Sequence, residues 1–210
     1  HEGLLRLRDR DYAGAADRFR TLSSRGIDSF ESHYYFGQAL VGLARWREAA
    51  AEFEHAIPRL PGFAASYLML ADCRLAASDR HAAIDALRRG TRAVPMDPRL
   101  SRRLGELYRG NGDLQQALAA FRDAIARDPG EPSQWNSVGM ILGASEDLDG
   151  AEHAFREAIE RDPREARYTY NLALTLARAH RRDEAAAYFR KTLELDPQFA
   201  PARKGLESMK

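Results

Sequence analysis

The chain contains six histidines and one cysteine, the side chains that most often bind transition metals or act as nucleophiles. The histidines are His1, His33, His55, His81, His153 and His180. No two of them have the spacing of a helical ligand pair, and Cys73 has no second cysteine for a thiolate site or an intrachain disulfide. The sequence therefore predicts no metal and no cofactor, and it favours a buried, unreactive Cys73.

Arginine is the other chemically distinctive side chain. Only Lys191, Lys204 and Lys210 among the 32 basic residues are lysines. A short stretch near the middle of the chain carries a cluster of arginines: Arg99, Arg102, Arg103 and Arg109. A guanidinium group binds a carboxylate through two parallel N–H donors, so this bias favours recognition of anionic groups. An arginine-rich genome explains the same counts, and both interpretations stay open.

The composition argues against several functional classes. The formal net charge is +1, which gives no overall basic surface for nucleic acid. No apolar run approaches the roughly 18 residues that a membrane-spanning helix needs. The sequence also has no glycine-rich phosphate loop, no nucleophile elbow and no strand pattern to hold either. We therefore expect no catalytic site, no nucleic acid partner and no membrane span in this chain.

The elements that position these side chains form an internal repeat. The pattern Ala-x-x-x-(Phe/Leu)-x-x-(Ala-like)-x-x-x-x-Pro recurs every 34 residues without an insertion. Its first alanines, here called the anchor alanines, are Ala15, Ala49, Ala83, Ala117, Ala151 and Ala185. Apolar residues at i, i+3, i+4 and i+7 precede each anchor and predict a leading helix, and the same spacing after the anchor predicts a trailing helix.

Small and helix-breaking residues define how these two helices meet and end. Proline cannot continue a helix, so we expect the trailing helices to end near Pro61, Pro95, Pro129, Pro163 and Pro197. An additional Pro58 is predicted to end or kink its helix a turn early. Small residues on the leading helices are expected to face the anchor alanines and permit close packing: Gly37, Ala71, Gly105, Gly139 and Ala173. One such hairpin cannot bury its apolar stripe alone, so neighbouring hairpins must stack.

The period and the pattern resemble the tetratricopeptide repeat family, over nearly the whole chain. The resemblance implies an all-α fold, a right-handed superhelical solenoid of antiparallel helix-turn-helix repeats. It predicts one continuous solenoid domain with a partial first repeat at 1–29, five complete repeats at 30–63, 64–97, 98–131, 132–165 and 166–199, and the start of a C-terminal capping helix at 200–210. In this family the side of the leading helices opposite the apolar stripe lines a groove that holds peptides.

We call that side the leading-helix face, and it supplies the candidate peptide-binding residues. They are Tyr34, Tyr35, Gln38, Leu68, Met69, Asp72, Arg99, Arg102, Arg103, Glu106, Arg109, Asn136, Met140, Arg167, Tyr170, Asn171 and Arg178. Gly143, Ala144 and Leu174 share the same phase. Tyrosines and apolar residues on a face that an isolated hairpin leaves in water indicate a binding surface. Packing on neighbouring helices explains the apolar residues equally, with the arginines as a solvated face.

The leading hypothesis is a scaffold that binds a peptide or partner segment in this groove, with acidic or carboxylate-bearing ligands favoured by the arginines. The resemblance also implies that Asn171 occupies a position where related grooves place an asparagine, whereas the lysine of the family's chaperone-tail clamp is missing. The alternative is the non-catalytic repeat region of a larger enzyme, of glycosyltransferase or sulfatase type, or of a secretion or envelope assembly protein. Self-association through the end of the incomplete first repeat is a third possibility. The sequence leaves the compartment open between a bacterial cytoplasm and periplasm.

Overall fold

The computed structural model describes residues 2–209. His1, one of the six histidines, and Lys210, the last residue of the expected capping segment, lie outside this range. Within the described range the chain forms thirteen α-helices and one short 3-10 helix, and it contains no strand. The all-α architecture expected from the repeat is confirmed. None of the described helices combines the length and the apolar composition needed to cross a membrane.

The chain divides into two compact units, His1–Asn111 and Gly112–Lys210. The first unit contains α1 (Glu2–Arg8), α2 (Tyr12–Ser24), α3 (Phe30–Gly42), α4 (Trp46–Ala56), α5 (Ala64–Ala76), α6 (Arg80–Ala93) and α7 (Pro98–Asn111). The second contains α8 (Leu114–Arg127), α9 (Pro132–Ala144), α10 (Leu148–Arg161), α11 (Ala166–Arg178), α12 (Arg182–Leu195) and α13 (Ala200–Glu207). Within each unit every helix packs against the next one in the chain, so that leading and trailing helices alternate.

The anchor alanines lie at the centre of this packing, and all six are fully buried. The small residues of the leading helices differ in one detail from the expectation that they face these alanines. A Cβ atom added at Gly37 would lie 2.9 Å from the Phe53 ring, and one added at Gly139 would lie 2.7 Å from the Phe155 ring. Each ring belongs to the residue four positions after an anchor, and at these two positions the missing side chain therefore makes room for an aromatic ring.

Pro58 shortens one trailing helix, as expected. The helix α4 ends at Ala56 and is followed by the 3-10 helix Ile57–Arg59, whereas α6, α8, α10 and α12 each have 14 residues. Proline has no N–H to donate to the carbonyl one turn earlier, which ends the α-helical hydrogen bonding at this point.

Five of the turns between leading and trailing helices share a backbone conformation that the sequence analysis did not predict. Five non-glycine residues have a positive φ between 57° and 63°: Arg10, Ala44, Ser78, Glu146 and His180. In the second of these turns the Ala44 N–H donates to the Val41 carbonyl and the Arg45 N–H donates to the Leu40 carbonyl, both at 2.9 Å. This is the Schellman end of a helix, in which glycine is the favoured residue. The five turns are therefore strained by their side chains.

Candidate functional site

In the first unit, α3 presents part of the leading-helix face. Tyr34 is only 8% exposed, because its ring packs against Phe30, Phe53 and Phe63 with centroid separations of 5.3, 5.7 and 5.2 Å. Burial also raises the pKa of the Tyr34 hydroxyl. Phe63, the residue just before α5, covers part of the Tyr34 ring, so Tyr34 offers little open surface to a ligand. Of the predicted α3 residues, Tyr35 remains half-buried at the surface.

The neighbouring helices α5 and α7 carry the apolar residues and the arginine cluster. Gln38 on α3, Leu68 and Met69 on α5, and Arg102 on α7 are half-buried, and Arg109 is exposed. The Arg103 guanidinium donates to Asp72 at 2.6 Å and to Glu106 at 3.0 Å, and Arg99 binds Asp97 at 2.5 Å. The Arg99 guanidinium lowers the pKa of the Asp97 carboxyl. Two of the predicted anion-binding arginines therefore already bind carboxylates of the chain itself.

In the second unit, two asparagines of the leading-helix face contact each other. The Asn171 amide donates to the Asn136 side-chain oxygen at 2.8 Å, and the Asn136 amide lies 3.6 Å from the Met140 sulfur. Asn136 is buried by these contacts, while Asn171 is half-buried. Asn171 on α11 therefore covers part of Asn136, and the hydrogen bond between the two residues fixes the orientation of the Asn171 amide.

Beside this pair lies an apolar cavity of about 280 Å³, here called the Met140 cavity. It is lined by Gly139, Met140, Gly143, Ala144, Phe155, Asn171, Leu174, Thr175 and Arg178. Six of these nine residues belong to the leading-helix face in the phase read from the sequence. Met140 is 45% exposed and Leu174 is 39% exposed, so two large apolar side chains stand in contact with water.

Arg178 forms the polar rim of the Met140 cavity. Its guanidinium donates to the Gly143 carbonyl at 2.8 Å and to the Glu146 carboxylate at 2.6 Å. The other two predicted residues of the second unit are not among those that line the cavity. The Tyr170 ring lies 5.0 Å from that of Phe199, and Arg167 is exposed with its Nε atom 3.7 Å from Glu165.

Comparison with known proteins decides the family. The family model of the tetratricopeptide repeat matches residues 68–132 and 139–198, more than half of the chain. The chain belongs to the tetratricopeptide repeat family. A search of curated proteins gave no match.

Several solved structures share the tetratricopeptide repeat fold of this chain. YrrB, described as a TPR protein with an unusual peptide-binding site, is 20% identical over 91% of this chain and 99% of its own, with a TM-score of 0.77. The C-terminal part of a TPR repeat-containing protein from Cytophaga hutchinsonii is 15% identical over 99% of this chain and 83% of its own (TM-score 0.79). MamA from Desulfovibrio magneticus is 18% identical over 82% of this chain and 97% of its own, with a TM-score of 0.70. At these identities the likeness establishes the fold alone.

His33 and Cys73 contribute to the repeat packing. The two ring nitrogens of His33 lie 2.7 Å from Glu52 and 2.7 Å from Asp28, so this histidine bridges the start of α3 to α4. Cys73 is buried, and burial raises the pKa of its thiol to about 11. Among residues 2–209 no group of three or more histidine, cysteine and carboxylate side chains is arranged to hold a metal ion.

Besides Gly139, the residues of the Met140 cavity that lie outside the predicted leading-helix face are Phe155 and Thr175. Both are buried, and each contributes one wall of the Met140 cavity. The signal for Phe155 was Gly139, since a Cβ atom at this position would lie 2.7 Å from the ring.

Proposed function

We propose that this chain is a protein-binding module that holds a segment of a partner protein on its leading-helix face. The observation that carries the proposal is the Met140 cavity in the second unit. Tetratricopeptide repeats typically act as non-catalytic scaffolds for protein interactions, which agrees with this proposal. The same module serves equally well inside a larger enzyme or a secretion or envelope assembly protein.

The Met140 cavity supplies the kind of anchor that protein interfaces use. Met140 and Leu174 leave apolar surface in water, and a partner's leucine or phenylalanine would remove it. Full burial of such a side chain contributes about 1.5–3 kcal/mol. Methionine adapts its shape to different partners, and Asn171 and Arg178 offer polar groups at the rim. An apolar anchor with a few fixed polar contacts is the usual arrangement of an energetic hot spot.

The first unit by itself offers a second candidate binding surface, which differs in character from the Met140 cavity. Tyr35, Leu68 and Met69 provide half-buried apolar surface next to the arginines of α7. This helix, Pro98–Asn111, carries four arginines and a single glutamate, Glu106. We therefore propose a partner segment with carboxylate groups, which would compete with Asp72 for Arg103 and would find Arg109 exposed.

A peptide-array screen followed by titration of the selected peptides tests the proposal. Leu174→Asp places a charge in the wall of the Met140 cavity and should weaken the selected peptides at least tenfold. Leu195→Asp is the matched control, since Leu195 is similarly exposed at 37% and lies in the same unit away from the cavity. If both variants lost peptide affinity equally, or if neither lost any, the Met140 cavity would be refuted as the anchor of the peptide. Peptides selected without acidic residues would refute the carboxylate part alone.

A second candidate function, self-association, has its own support at α1. Leu4 and Leu5 on this helix are 41% and 38% exposed, which leaves two adjacent large apolar side chains in water. A pair of such helices could bury these leucines against each other in a symmetric contact.

A further inference from the structure

A second cavity opens on the trailing-helix side of the second unit and shares no residue with the Met140 cavity. This Trp135 cleft has a volume of about 350 Å³, within the range of small-molecule sites. It lies between α8, α9 and α10 and is lined by Arg122, Ile125, Ala126, Trp135, Val138, Leu142, Asp147, Gly150, His153 and Ala154. Most of this lining is apolar, and its charged and polar groups are Arg122, Asp147 and His153.

The cleft exists because three of its residues are smaller than their counterparts in other repeats. Val138 stands where the other complete repeats have Phe36, Leu70, Leu104 and Leu172. Gly150 stands where they have Glu48, Ala82, Gln116 and Glu184. Ala126 stands where they have Pro58, Arg92, Glu160 and Glu194. The three small residues come from three different helices and meet at one place, which creates the space.

The aromatic wall of the cleft is fixed in position. The Trp135 indole N–H donates to the Pro129 carbonyl at 2.9 Å, and the Arg161 guanidinium lies 4.9 Å from the centre of the ring. These contacts satisfy the polar end of the indole and leave its ring as a rigid apolar surface. Ile125, Val138 and Leu142 add aliphatic surface, so the body of a ligand should be apolar.

The charges at the cleft select the polar end of the ligand. Asp147 accepts the Gly150 N–H at 3.0 Å as the N-cap of α10, where the positive end of the helix dipole offsets its charge. Arg122 is exposed, and the described part of the chain offers it no ion pair. The Arg122 guanidinium is thus available to a ligand, whereas the Asp147 carboxylate is already bound to the start of α10. This arrangement favours a ligand with a carboxylate group over one with an amine.

We infer that the Trp135 cleft binds a small carboxylic acid with an aliphatic body of medium length, with Arg122 holding the carboxylate and Trp135 the chain. This site is separate from the proposed peptide face in its residues and in its ligand.

Tryptophan fluorescence of a Trp46→Phe variant tests the inference, since Trp135 is then the sole tryptophan. Octanoate should give a saturable change in emission, whereas acetate lacks the chain and octylamine carries the opposite charge, so both should bind at least tenfold more weakly. Arg122→Gln should weaken octanoate about tenfold. Arg190→Gln is the matched control, because Arg190 occupies the same repeat position two repeats later, is exposed and does not line the cleft.

Ala126→Phe should abolish octanoate binding by filling the cleft from its exposed wall, with circular dichroism to verify the fold. The inference is overturned if octanoate gives no saturable change in emission or if octylamine binds as tightly as octanoate. It is overturned too if Arg190→Gln lowers the affinity for octanoate as much as Arg122→Gln does. It is also overturned if a dipeptide ending in a leucine carboxylate binds while octanoate does not, which would assign the cleft to a protein C-terminus. None of these outcomes depends on the Leu174 variants, so the two proposals fail separately.

Discussion

Two glycines one turn apart on α9 provide a direct test of the packing. A Cβ atom added at Gly139 would lie 2.7, 2.8 and 2.9 Å from three ring carbons of Phe155, well inside van der Waals contact. Phe155 is buried and cannot swing into solvent. At Gly143 the nearest atoms would be the Ala151 Cβ at 3.7 Å and an Arg178 nitrogen at 3.8 Å, which are ordinary contacts.

The magnitudes follow from two opposing effects. Replacing glycine with alanine inside a helix stabilises it by about 1 kcal/mol, and overpacking a core costs about 1–3 kcal/mol. We expect Gly143→Ala to stabilise the protein by about 0.5–1 kcal/mol and Gly139→Ala to destabilise it by up to about 2 kcal/mol. Both variants gain the same helix propensity, so the difference between their stabilities measures the cost of the overlap between the added Cβ atom at position 139 and the Phe155 ring.

Thermal unfolding followed by circular dichroism measures this difference. For a protein of this size 1 kcal/mol corresponds to a Tm shift of roughly 2–4 °C. Phe155→Leu in the Gly139→Ala background should recover most of the overlap cost, since the third repeat already pairs Ala71 with Leu87 at the same two positions. Equal Tm shifts for Gly139→Ala and Gly143→Ala would show that the Phe155 ring does not pack on α9 as described.

Two further predictions concern the turns and α1. Ala44→Gly should stabilise the protein by about 0.5–1 kcal/mol, because glycine adopts the positive φ of this turn without strain. Ala39→Gly in the adjoining helix α3 should destabilise the protein by about 1 kcal/mol. If thermal unfolding shifted the Tm of both variants in the same direction, the turn geometry would be contradicted. Light scattering over a concentration series should show a dimer that Leu4→Lys with Leu5→Lys converts to a monomer, and a mass that stays monomeric at every concentration would eliminate self-association through α1.

The repeat predicted the fold because its evidence is redundant along the chain. Six anchor alanines at one spacing set the phase of the helices, and all six are fully buried in the structure. The phase of a residue on its own helix is a local property, so periodicity is sufficient to assign it. Pro58 acts in the same local way, through the hydrogen bond that it cannot donate.

The exposure of the candidate site residues could not be predicted from the repeat, because exposure depends on residues far away in the sequence. Tyr34 and Asn136 have the phase of the leading-helix face, yet Phe63 covers the first and Asn171 contacts the second. Arg103 shows the same limit, since its partner Asp72 lies one helical hairpin earlier. Periodicity assigns a residue to a side of its helix, and the neighbouring segments of the chain then decide whether that side meets water.

Comparing equivalent positions between the repeats recovers part of the information that periodicity along the chain does not contain, and the Trp135 cleft is an example. In a repeat protein each position has counterparts in the same packing environment, and these reveal an unusually small residue without any homologous sequence. Val138, Gly150 and Ala126 each look ordinary along the chain, and each is smaller than most of its counterparts. A single reduction can be absorbed by repacking, but three on helices that surround one cleft leave a space of about 350 Å³. Reading the repeats position by position therefore locates sites that periodicity along the chain misses.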